Sequence, residues 1–192
     1  NTTNGIQIDG AAALVSDSVA HDNGGVGINL ASLATGSRVE ANVVYGNNQG
    51  LLVYSSGSGA GTIVGTLDPA SGRGNLVYGN ASVGITAAYN TRVAGNTVRN
   101  QTYQYATGIS LFGGSSAQRN VVFGNYTGIS VSSGGDVSEN RVYGNTYVGI
   151  DGYASNGFNR NVVYSNPTNL RVSSNMQVAN NLLYDSEIYG VF

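Results

Sequence analysis

Apolar and polar residues alternate along the chain in short runs, as in Ile129-Ser130-Val131 and Leu170-Arg171-Val172. A period of two predicts strands, because successive side chains of a strand point to opposite faces. The runs also recur. A Gly followed by Ile, Leu or Val appears with Ile6, Ile28, Leu51, Ile85, Ile109, Ile129, Ile150 and Val191 in second place. Asn169-Leu170 fills the one gap, and the intervals are then 22, 23, 34, 24, 20, 21, 20 and 21 residues. In step with this landmark, Asn42, Asn75, Asn96, Asn120, Asn140, Asn161 and Asn181 each open a segment such as Asn-Val-Val-Tyr-Gly-Asn, and Ser18 takes that place in the first repeat. Strand alternation on a fixed period predicts a solenoid whose coils bury their apolar edges against one another. The fold class is therefore all-β: a right-handed parallel β-helix of about eight coils, mostly 20–24 residues each, with three short strands per coil. The hand is that of parallel crossover connections in general.

The repeat sorts side chains into columns. Three positions before the Asn stand Val15, Val39, Gly72, Val93, Ala117, Val137, Phe158 and Val178; two positions after it stand Ala20, Val44, Val77, Val98, Val122, Val142, Val163 and Leu183. Both columns are expected to face inward. The series His21, Tyr45, Tyr78, Arg99, Phe123, Tyr143, Tyr164 and Tyr184 lies between two inward positions and is expected to face out as an aromatic stack. Asn tolerates the left-handed conformation needed at a bend, and stacked amides satisfy one another, so the Asn column reads as a structural corner. A second series, Asn23, Asn47, Asn80, Asn100, Asn125, Asn145 and Asn166, reads as the next corner.

One interval is long. It holds Ser55-Ser56-Gly57-Ser58-Gly59-Ala60-Gly61 and Asp68-Pro69-Ala70-Ser71-Gly72, turn-rich runs that mark residues 55–74 as a loop insertion. A smaller bulge at Gln101-Thr102-Tyr103-Gln104-Tyr105 sets two more Tyr at the surface. Otherwise residues 1–192 read as one β-helix domain. The chain starts beside one Gly-Ile strand and stops at Gly190-Val191-Phe192, the start of another. Open strand edges at both ends raise the expectation of a longer β-helix, or of copies stacking head to tail.

Composition narrows the partners. Charged residues make up 9% of the chain, with eight Arg, no Lys and ten acidic residues. There is no basic footprint for nucleic acid and no run of membrane-spanning length. Cys is absent, which excludes disulfides, thiolate metal sites and thiol nucleophiles. Calcium has weak support: it needs six to eight oxygens, and only Asp17 with Asp22, or Asp136 with nearby carbonyls, offers an exposed site. No other metal or cofactor is implied.

The repeat resembles that of the right-handed β-helix proteins that include pectate lyases, polygalacturonases and alginate-modifying enzymes, over nearly the whole chain. Asp17-Ser18-Val19-Ala20-His21-Asp22-Asn23 is similar to a segment in the catalytic modules of mannuronan C5-epimerases. Those modules carry a Tyr-Gly-Phe-Asp-Pro-His motif one coil earlier, where this chain has Asn4-Gly5-Ile6-Gln7-Ile8-Asp9. The resemblance implies epimerase or lyase chemistry, for which His21, Tyr45, Asp17 and Asp22 are the catalytic candidates here. Such chemistry needs a base at C5 and a cation for the substrate carboxylate, and His21 is the chain's single His.

A different surface suits binding. Outward on the Gly-Ile strands stand Gln7, Asn29, Leu52, Thr86, Ser110, Ser130, Asp151 and Arg171, followed two residues on by Asp9, Tyr54, Phe112 and Tyr153. Aromatic faces beside small polar groups match a neutral glycan, since rings stack on sugars and hydroxyls and amides bond to them. Asp151, Tyr153, Arg171, Tyr54 and Phe112 are therefore the substrate-binding candidates. The expectation is an extracellular, secreted or cell-surface module that binds polysaccharide within a carbohydrate-processing protein. Its alternatives are a structural or adhesive solenoid forming fibres or a surface layer, and a divergent uronate epimerase or lyase.

Overall fold

The computed structural model of the chain describes residues 1–31, 34–54, 61–133, 135–153, 157–173 and 176–191, of which 187–191 are described in the backbone alone. Each coil lays down three short strands, and every strand pairs in parallel with its counterpart one coil away. The first sheet stacks Ile6–Ile8, Val26–Leu30, Gln49–Tyr54, Val83–Ala88, Thr107–Leu111, Thr127–Val131 and Val148–Gly152. The second stacks Leu14–Ser16, Arg38–Glu40, Ile63–Gly65, Arg92–Ala94, Ser116–Gln118, Asp136–Ser138, Gly157–Asn159 and Gln177–Ala179. The third stacks Val19–His21, Val43–Tyr45, Leu76–Tyr78, Thr97–Arg99, Val121–Phe123 and Arg141–Tyr143. In the last two coils the strands Val162–Val172 and Leu182–Val191 run from the third sheet into the first without a break. The molecule is a parallel β-solenoid of about eight coils.

The inward columns meet in register. Ile28, Leu51, Ile85, Ile109, Ile129, Ile150 and Leu170 stack coil upon coil and are buried, as are Val44, Val77, Val98, Val122, Val142 and Val163 on the third sheet. On the second sheet the third coil contributes Val64, which pairs with Val39 and Val93; Gly72, expected in that place, sits outside at the end of a 3-10 turn over Pro69–Ser71. Within 55–74, then, Ile63–Gly65 is a strand of the solenoid and the Asp68-capped turn follows it, while residues 55–60 lie outside the described residues. Core volume is matched locally: Phe158 occupies a column of Val and Ala and fills the space opposite Gly152, where a side chain would collide with its ring.

The first Asn column is a continuous ladder. Each Asn Nδ2 donates to the Oδ1 of the next, from Asn42 through Asn75, Asn96, Asn120, Asn140 and Asn161 to Asn181, at 2.8–3.0 Å. Each Oδ1 also accepts the preceding ladder residue's backbone N–H, and Ser18 begins the series by donating its own to Asn42. The second ladder runs through Asn23, Asn47, Asn80, Gln101, Asn125, Asn145 and Asn166, so Gln101 replaces the expected Asn100. It ends at Asn169, whose Oδ1 accepts from Asn166 at 2.9 Å because the following coil offers Ser186 in place of an Asn. At neither corner is a ladder Asn left-handed. At most coils the residue before it is, among them Ala41, Arg119, Glu139, Arg160 and Asn180 at the first and Asp22, Asn100 and Ser165 at the second. That residue takes the bend outside, which turns the next side chain inward.

The outward column of the third sheet forms a stack as expected. His21 on Tyr45, Tyr45 on Tyr78, Phe123 on Tyr143, Tyr143 on Tyr164 and Tyr164 on Tyr184 are face to face at 4.8–5.0 Å, and the Arg99 guanidinium covers Tyr78 at 4.8 Å. Arg141 also donates twice to the Tyr164 hydroxyl. Replacing Tyr164 by Ala removes two stacked pairs, and at about 0.5–1.5 kcal/mol per pair we expect a loss of about 1–3 kcal/mol. Tyr164→Phe keeps both pairs and is expected to lose less than about 1 kcal/mol. Chemical denaturation midpoints of the two variants check this.

Candidate functional site

The first sheet's outward face gathers most of the expected binding residues. Its strands place Leu52, Thr86, Ser110, Ser130, Asp151 and Arg171 side by side in consecutive coils. At the far end of the strands, Tyr54, Phe112 and Tyr153 project with about half their surface exposed. Each lies two coils from the next, about 10 Å at ordinary strand spacing.

Asp151, Tyr153 and Arg171 come together. The guanidinium donates to both Asp151 oxygens, Nε to Oδ1 at 2.9 Å and Nη2 to Oδ2 at 2.5 Å, and Asp151 is only 7% exposed. Nη2 also donates to the Tyr153 hydroxyl at 3.1 Å and Nη1 to the Tyr147 hydroxyl at 2.7 Å. The cation lies 5.1 Å from the Tyr147 ring centre and 5.9 Å from that of Tyr153. The hydrogen bonds to Asp151 hold the guanidinium above its ordinary pKa against the effect of burial, so the cation is engaged by a partner within the protein. A shallow cleft of about 310 Å³ opens beside it, lined by Asp151, Tyr153, Arg171 and Ser173.

Tyr54 and Phe112 belong to a second cleft of about 380 Å³ on the same face, four and two coils from Tyr153 respectively, with Leu52, Thr86, Ala88 and Tyr89. Tyr54 and Tyr89 meet edge to face at 5.0 Å with their hydroxyls 3.1 Å apart. At the opening end of the strands a further aromatic group continues the border. Tyr103 packs on Tyr105, Tyr105 on Tyr126, and Tyr126 on Tyr147. The bulge Tyr103 and Tyr105 are exposed as expected, at 59% and 60%. Tyr89 and Tyr147 were not singled out by the sequence. Tyr89 sits at a left-handed turn outside the repeat columns, and the only signal for Tyr147 is its spacing from Tyr126, to whose carbonyl its amide bonds.

The catalytic candidates divide. His21 Nδ1 lies 2.8 Å from Asp22 Oδ2 and the ring stacks on Tyr45, so three of the four are neighbours at an exposed corner. Asp17 faces elsewhere: it pairs with Arg73, which also binds the buried Glu40, itself held by Arg38. The Arg73 hydrogen bond keeps the Asp17 carboxyl below its ordinary pKa, which suits a fixed anion and not a proton donor. Arg119 does the same to Glu139 in the charge ladder with Arg160. For both acids the folded pKa is depressed, so their stabilisation is present above the unfolded value and lost as pH falls through the folded one, weakly so at this exposure. With Asp17 on Arg73 and Asp22 on His21, the two acids weighed as a calcium pair are separately engaged, and no group of three or more His, Cys, Asp or Glu gathers among the described residues, at Asp136 or elsewhere. Nor does a helix among them have the length and apolarity to cross a membrane.

A parallel β-solenoid with asparagine ladders and a tyrosine-bordered sheet face is the class that this geometry defines. No protein-family model matches the chain, and no curated protein matches it either.

Proposed function

We propose that the protein is an extracellular polysaccharide-binding module and that the first sheet's outward face is its binding surface. The observation that carries this reading is the different use of aromatic rings on two faces. On the third sheet the rings cover one another face to face, which leaves edges for a ligand. On the first sheet Tyr126 and Tyr147 stack at 18°, but Tyr54–Tyr89 and Tyr105–Tyr126 meet at 87° and 86°, so that these rings do not cover one another face to face beside the hydroxyls of Thr86, Ser110 and Ser130. Open faces with neighbouring hydroxyls are what a pyranose chain requires. Epimerase or lyase chemistry around residues 17–23, which the resemblance implies, has in its favour the contacts of His21 with Asp22 and with Tyr45.

Phe112→Ala is the test. The side chain is 42% exposed, so its removal leaves the core intact. We expect at least about tenfold weaker binding on a glycan array, consistent with loss of one stacking platform. Tyr184→Ala, in the closed stack of the third sheet, is expected to leave binding unchanged. Equal loss in both variants, or no binding by the unaltered protein to neutral or acidic glycans, would count against this assignment.

A further inference from the structure

Resting on the glycan-binding reading, we propose that the first-sheet face takes an uncharged polysaccharide by its chain end, with Arg171 as the stop that closes the trough. Two observations carry it. The first is charge. From Leu52 to Ser130 the described residues along the floor are Leu, Thr and Ser, and those bordering it are aromatic, small or, at Gln49, an uncharged amide that donates to Thr86. No Arg, Asp or Glu is among them. The nearest cation on this face, Arg171, is consumed by a two-point pair with the buried Asp151. A polyuronate carries a carboxylate on every sugar, and each would be stripped of water here without a partner.

The second observation is the position of that guanidinium. Tyr147 stands before the strand Val148–Gly152 and Tyr153 after it, so the two hydroxyls border opposite sides of the same strand. Arg171 donates to both and to Asp151 on the floor between them. It therefore crosses the face from border to border. A sugar chain lying along the hydroxyls of Thr86, Ser110 and Ser130 meets this bar at the next coil and ends there. The terminal sugar finds the hydroxyl groups of Tyr147 and Tyr153, with the one Nη1 N–H that these four bonds leave over, as donors and acceptors for its own terminal hydroxyls.

The test uses the whole chain and isothermal titration with the hexasaccharides of cellulose, mannan and xylan, and with hexagalacturonate and hexamannuronate. At least one neutral hexasaccharide is expected to bind at least about tenfold more tightly than either uronate. With short and long fractions of the same neutral polymer, the number of protein molecules bound per chain is expected to be equal, as end recognition requires. Arg171→Gln should raise that number severalfold on the long fraction. Asp151→Asn, which keeps an acceptor but releases the guanidinium charge, should narrow the neutral-to-uronate gap at least threefold. Uronates binding as well as neutral sugars, or sites per chain growing with length in the unaltered protein, would overturn the inference while leaving glycan binding in place. Absence of binding to all five would overturn both.

Discussion

Replacing Asn120 by Ala is expected to remove about 3–5 kcal/mol of stability, because the side chain serves two coils at once. Its Nδ2 donates to the Val93 carbonyl and to Asn140 Oδ1, while its Oδ1 accepts both the backbone N–H and the Nδ2 of Asn96. Asn120 itself has no exposed surface. Alanine leaves the Asn96 N–H and the Val93 carbonyl buried without these partners, and a buried unsatisfied group costs about 1–3 kcal/mol. The damage should spread to both neighbours, since a solenoid is held by its coil-to-coil interfaces. Hydrogen exchange should show lost protection in the coils of Asn96 and Asn140 and little change at Ile28. Asn120→Asp is the sharper form of the experiment. Its carboxylate would face the oxygens of Val93 and Asn140 in a dry site, raising its folded pKa above the ordinary value of about 3.9. Stability should accordingly be greatest below that value and be lost as pH rises through the folded pKa. A loss below about 1 kcal/mol for Asn120→Ala would mean that the ladder is ornamental to the stack.

Gly108→Ala is expected to cost about 3 kcal/mol or more, at the upper end of overpacking penalties, although it adds one methyl group. Its new Cβ would stand 2.6 Å from Val122 Cγ1, 2.7 Å from the Gly128 carbonyl oxygen and 2.9 Å from Asn125 Nδ2. Two of these belong to the backbone and the ladder of the adjoining coils, which have nowhere to move. Two controls separate sterics from conformation. Gly79 has φ +62° and nothing within 4 Å of the place a Cβ would take, so Gly79→Ala meets only the left-handed penalty of about 1–2 kcal/mol. Gly10 has neither constraint, and Gly10→Ala should change stability by less than about 0.5 kcal/mol. Thermal or urea unfolding of the three variants should rank them Gly108, Gly79, Gly10.

The Gly108 contacts also explain why the repeat was so legible. The Gly-Ile landmark exists because an inward side chain there would strike the ladder of the next corner, and the Asn landmark exists because an amide both donates and accepts along the stack. Both constraints act at nearly every coil, so they print a period into the sequence. Where a coil departs from the constant offset between landmarks, the reading failed for a corresponding reason. Thr66–Gly74 intervenes between a second-sheet strand and its corner, so counting back from Asn75 landed on Gly72 when Val64 carries the packing. Asn100 drew attention by residue type, whereas position two after the aromatic column belongs to Gln101, whose longer side chain still accepts from the Asn80 N–H while its backbone N–H donates to Asn125 Oδ1. The proposed binding face was legible as columns, and Asp151, Tyr153 and Arg171 are in contact as their columns place them. The bar that Arg171 makes with Tyr147 was not, because it depends on how a long side chain reaches across a strand and back one coil. Likewise Asp17 was grouped with His21 by proximity in sequence, while the fold turns it toward Arg73, fifty-six residues on.

The most direct measurement of the account is a backbone-amide NMR titration of the chain with a neutral hexasaccharide that binds. Shifts confined to the first-sheet strands and their borders, among them Tyr54, Thr86, Ser110, Phe112, Ser130 and Tyr147, are the predicted result. Shifts centred on the third-sheet stack of Tyr143, Tyr164 and Tyr184, or on the corner of His21 and Asp22, would contradict it.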